Sequence, residues 1–158
     1  MKILIGDALF LFHERKVSAA LTIVFKIAFI AKAHVDKSLI FMSHLLLGSI
    51  LYHLRLLNDA QAIFELLRDL TEEGMNPSHS LQTAQYMANV LQTSQEYGLA
   101  KKIAKKMLQV AWVSNSSEYE IKAYQLLASQ NFYMQNIERA SYYNNRVNKG
   151  MLEADYSS

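Results

Sequence analysis

Apolar residues return along this chain every three or four positions, in runs long enough for helices and broken by short polar stretches. The pattern predicts first-type helices near residues 1–13, 41–54, 81–94 and 119–133. Each is followed by a second-type helix, near 17–34, 57–73, 97–113 and 137–152. Short turns, His13–Lys16, Arg55–Leu57, Ser94–Glu96 and Gln135–Asn136, join the members of each pair. Longer links between pairs hold caps and breakers. Glu73-Gly74-Met75-Asn76-Pro77-Ser78 ends one helix with Gly and bars its continuation with Pro. Ser114-Asn115-Ser116-Ser117-Glu118 offers N-cap oxygens to the helix after it, and Asp36-Lys37-Ser38 does the same earlier.

The pairs repeat. When the chain is shifted on itself by forty residues, one column reads Ala8, Gly48, Ala88, Ala128 and another reads Ala20, Ala60, Ala100, Ala140, with no gap. Large apolar columns accompany them: Ile27, Leu67, Met107, Val147, and Leu11, Leu51, Leu91 with Asn131 last. Small residues twelve apart suit two antiparallel helices that approach closely at their crossing, with large side chains filling the flanks. The expectation is an all-α fold of four hairpins. They span about 1–40, 41–80, 81–120 and 121–152 as one array, and residues 153–158 form a polar tail.

These columns resemble the tetratricopeptide repeat, which places small residues at its eighth, twentieth and often twenty-seventh positions and a large apolar residue near the twenty-fourth. Gly48, Ala60 and Phe64 fit best, followed by Ala88, Ala100 and Ala104. The sequence departs from that pattern in its longer period, in Asn144 at the twenty-fourth position of the last repeat, and in having the fourth-position aromatic only as Tyr124. The resemblance implies an α-solenoid wound as a right-handed superhelix, with first helices lining a concave groove that holds a peptide, a helix or another subunit. Carried over position by position, the groove residues are Tyr52 and His53 (with Met42, Leu45 and Ser49), then Gln82, Gln85 and Asn89 (with Gln92 and Thr93), then Lys122, Gln125, Ser129 and Tyr133 (with Phe132). The family's clamp for C-terminal carboxylates is matched only by Asn89 and Lys122, too few to expect that ligand.

Composition narrows the alternatives. One proline and five glycines among 158 residues disfavour a turn-rich β fold, and the lack of cysteine removes disulfides and thiolate metal sites. Net charge is +2, from 16 Lys and Arg against 14 Asp and Glu, with no sustained basic surface of the kind nucleic-acid binding requires. The apolar segments 17–35 and 39–57 carry Lys26 and Lys32, and His44, His53 and Arg55, respectively. A lysine near a bilayer centre costs about 2.5–3.5 kcal/mol, so neither is expected to span a membrane. The start of the chain lacks the pattern of a signal peptide.

The sequence supplies no nucleophile elbow, phosphate loop, paired catalytic carboxylates or helical histidine pair, so no catalytic residue, metal or cofactor is expected. Lys101, Lys102, Lys105 and Lys106 fall on one helical face, either solvated or in contact with acidic protein tails. The first repeat is apolar nearly all round, and Ile5, Leu9 and Phe12 are expected to form an exposed end patch. The functional expectation is a non-catalytic protein-interaction scaffold. By analogy with the family it would be cytoplasmic, within a ciliary, cytoskeletal or cell-cycle assembly. A groove-based peptide sensor is the alternative, with a membrane-attached hairpin protein or a regulatory domain of a larger enzyme behind it.

Overall fold

A computed structural model of the chain describes residues 2–33, 36–72 and 76–157. Among them every regular element is a helix and there are no strands. The helices are α1 (Lys2–His13), α2 (Val17–Ala33), α3 (Lys37–His53), α4 (Leu57–Glu72), α5 (Pro77–Thr93), α6 (Tyr97–Val113), α7 (Ser117–Tyr133) and α8 (Ile137–Ser157). They divide into two compact units, residues 1–73 and 74–158. In the first unit α2 packs on both α1 and α3, and α4 on α3. In the second, α6 packs on α5 and α7, α8 packs on α7, and α5 also meets α7.

The starts at Val17, Lys37, Leu57, Pro77, Tyr97, Ser117 and Ile137 lie twenty residues apart, half the period read from the columns. Five of these starts follow copies of one turn. Arg15, Arg55, Gln95, Asn115 and Gln135 all adopt left-handed backbone, with φ between 52° and 64°. Around each, the next residue's N–H bonds to the carbonyl five back, as Lys16 to Leu11, Leu56 to Leu51, Glu96 to Leu91, Ser116 to Ala111 and Asn136 to Asn131. The left-handed residue bonds to the carbonyl three back, which completes a Schellman cap. The following carbonyl then accepts the first bond of the next helix, for instance from Ala20 to Lys16 and from Ala60 to Leu56.

Three boundaries differ from the expectation. Asp36 caps α3, its carboxylate accepting the Leu39 N–H at 3.1 Å, so Lys37 and Ser38 are helical rather than linking. Asn76 caps α5 through the Ser78 N–H, and Pro77 opens the helix at a position whose N–H would have no helical partner anyway. α8 continues through Ser157, so residues 153–157 extend that helix instead of forming a separate tail.

All eight small column positions are buried: Ala8, Ala20, Gly48, Ala60, Ala88, Ala100, Ala128 and Ala140. Ile27, Leu67, Met107 and Val147 are buried with them. The first unit centres on Ala8, Ala20, Val24, Leu46 and Ile50. The second centres on Leu81, Met107, Leu108, Tyr124 and Leu127. Gly48 and Phe64 substitute jointly for the pairs Ala8 with Val24 and Ala88 with Ala104. A methyl group at Gly48 would come within 2.7 Å of the Phe64 ring, so the large ring on α4 requires a bare backbone on α3. At the far end of the chain, Arg146 on α8 donates to the buried Tyr124 hydroxyl at 3.3 Å, and its guanidinium lies 5.4 Å from the centre of that ring. The bond to Tyr124 holds the Arg146 pKa above its usual value.

Candidate functional site

In the second unit, α5 and α7 lie side by side and expose one row of polar side chains each. Their helical spacing gathers Gln85, Asn89 and Gln92 from α5, and Lys122, Gln125, Leu126 and Ser129 from α7, around an open cleft of about 200 Å³. Four amides and a hydroxyl in one concavity offer both donors and acceptors. The carbonyl oxygen of the Gln92 side chain is buried there and meets no hydrogen-bond partner among the described residues. Lys122 is the one charged residue lining the cleft. Its ammonium is already held by Glu118 at 2.6 Å and sits 4.7 Å from the Tyr119 ring centre, so the cleft presents little free charge.

Gln82, one turn before Gln85, is engaged elsewhere: it hydrogen-bonds Tyr119 and so ties α5 to the start of α7. Burial raises the Tyr119 pKa, and this outweighs the opposing effects of Lys122 and the Gln82 bond. Tyr133 leaves the cleft row to stack on Tyr97 of α6, with centroids 5.1 Å apart and planes 10° from parallel. Phe132 beside it is exposed. Tyr52 and His53 belong to the first unit. There the His53 ring meets Phe12 at 5.2 Å and Tyr52 at 5.5 Å. Of the expected groove residues, the structure therefore brings together Gln85, Asn89, Gln92, Lys122, Gln125 and Ser129. It also adds Leu126, whose place one turn from Lys122 and Ser129 was the available signal.

A larger cleft of about 320 Å³ lies between α7 and α8, lined by Glu120, Tyr124, Arg146, Lys149 and Glu153 among others. Its two acidic and two basic residues balance, and Arg146 is committed to Tyr124, so it offers no consistent recognition surface.

The other candidates separate as well. Lys101 does not share the outward face with Lys102, Lys105 and Lys106. It is half-buried and donates to the buried Asn131 amide oxygen at 3.3 Å, because α7 covers that edge of α6. Desolvation, then the neighbouring charges of Lys105 and Arg139, lowers its pKa. In the expected end patch, Leu9 is exposed, but Phe12 is half-buried against the first unit's core, and the Ile5 side chain lies outside the described residues. Among the described side chains of α1 and α2, the large apolar groups exposed are Leu9, Phe10, Phe25 and Phe29. Among the described residues no group of three or more potential metal ligands gathers, and no helix is long and apolar enough to cross a membrane.

No protein-family model matches the sequence, and none of the curated proteins compared with it does.

Proposed function

We propose that the chain is a non-catalytic protein-interaction scaffold of tetratricopeptide-like hairpins, and that the α5–α7 cleft receives an extended segment of a partner protein. The observation carrying this reading is the convergence of Gln85, Asn89, Gln92, Gln125 and Ser129 in one concavity with its only lysine already paired. Amides donate and accept at once, as a peptide main chain does, so a row of them suits a backbone in any sequence context.

The test is selection of peptides from a random displayed library against the full chain, followed by binding to Gln85→Ala with Asn89→Ala. Loss of two or more net hydrogen bonds predicts a weakening of about tenfold or more, with helical content unchanged. Selected peptides that bind the variant as well as the parent chain place the interaction elsewhere and refute the cleft as the site.

A further inference from the structure

The outer face of α2 differs from that of every other second-type helix. Ser18, Thr22, Phe25 and Phe29 form a row spaced by four, three and four residues, the spacing of a coiled-coil seam. All four are exposed, Phe25 at 59% and Phe29 at 77%, so neither α1 nor α3 covers them. The same row reads Asn58, Ala62, Glu65, Asp69 on α4, Gly98, Lys102, Lys105, Gln109 on α6, and Glu138, Tyr142, Asn145, Lys149 on α8. Each of those rows carries charge, whereas the α2 row carries none and has two phenylalanines where the others are polar.

We propose that this row is a self-association surface, on which α2 of a second copy of this chain lies antiparallel. The argument is the order of sizes along the row. Its N-terminal half is small and its C-terminal half large. Thr22 and Phe25 stand equally far from the midpoint, as do Ser18 and Phe29. A two-fold axis through that midpoint sets each ring over a small residue of the other copy, knob against hole, and makes the contact isologous. Thr22 is suited to being covered, because its hydroxyl donates to the Ser18 carbonyl at 3.0 Å and leaves no donor stranded. A lipid surface would use the rings but has no use for small residues placed to receive them. Together the two rings expose roughly 270 Å² per copy. A stable interface buries about 800 Å² per partner, so the dimer is weak and concentration-dependent.

Sedimentation velocity of the full chain, from micromolar to submillimolar concentration, tests this. The parent chain shifts from monomer towards dimer as concentration rises. Phe25→Ser with Phe29→Ser stays monomeric throughout, with unchanged circular dichroism. Thr22→Phe also loses the dimer, although it adds apolar surface, because it fills the receiving notch. A parent chain that is monomeric at every concentration overturns the proposal, as does a dimer that survives the double serine variant. Stronger association of Thr22→Phe would identify unspecific apolar contact instead. Co-sedimentation with phosphatidylserine vesicles that is lost in the double serine variant and kept in Thr22→Phe would assign the face to lipid.

Discussion

The Gly48–Phe64 contact makes a quantitative claim about how one hairpin accommodates a large ring. Gly48→Ala removes the helix-interior penalty of glycine, a gain of about 1 kcal/mol. Against this, the new methyl lies 2.7 Å from a ring that is itself fully buried on α4. Overpacking of this kind costs about 1–3 kcal/mol, so the net expectation is a loss of about 1 kcal/mol where propensity alone predicts a gain. Phe64→Val alone opens a cavity and loses about 2–3 kcal/mol. In the double variant, which copies the native pairing of Ala8 with Val24, the methyl enters the vacated space. Its loss should therefore fall short of the sum of the single losses by about 1–3 kcal/mol. Urea unfolding of the four proteins, followed by circular dichroism with amide exchange on α3 and α4, measures that coupling. If the two changes add within about 0.5 kcal/mol, or Gly48→Ala stabilises by the full propensity gain, the claim that Phe64 excludes a side chain at Gly48 fails.

Three further outcomes follow from the second unit. Gln130 is fully buried at the column position of Ile50 and Val90, and neither of its amide atoms meets a partner among the described residues. Gln130→Met should therefore raise stability by about 1–3 kcal/mol, read from the urea midpoint of Trp112 fluorescence; a loss would mean the amide is satisfied. Gln95 holds left-handed backbone at φ 64°, and Gln95→Gly should stabilise by about 1 kcal/mol, whereas a matching loss in thermal unfolding would show the turn tolerates the side chain without strain. Burial lowers the His79 pKa below its ordinary 6.5, so the folded state binds fewer protons than the unfolded one. Stability of this unit is thus complete above pH 6.5 and declines as pH falls through and below that value. In His79→Gln the decline should be smaller over the same window, and an unchanged slope would assign it to other groups.

Much of the fold is legible because close helix packing restricts side-chain size. The alanine and glycine columns mark the buried crossings, and Asp36 among the polar links offers the N-cap oxygen that α3 uses. What the sequence concealed has a common cause. The left-handed turn positions carry Arg, Gln and Asn instead of glycine, so nothing in their residue types announces five copies of one turn, and the forty-residue period hides the twenty-residue step. Pro77 reads as a breaker, yet it is favoured at the first position of a helix. Lys101 reads as part of a solvated lysine face because polarity alone does not reveal that α7 covers that edge of α6. The amide side chains of the candidate cleft share a face by helical register, which the sequence carries. The stacking of Tyr133 on Tyr97 and the place of Leu126 at the cleft depend instead on how neighbouring helices approach, which it does not.

The uniform turn also constrains how such a protein can change length. Within the second unit all three connections are copies of it, so gaining or losing one helix with its turn there would leave every local junction chemically acceptable. It would nevertheless exchange the places of the α5–α7 and α6–α8 types of helix, so that the amides gathered in the cleft would no longer lie side by side. Insertions that preserve recognition must therefore come in even steps, and a single-step variant should fold yet present its partner with the wrong side.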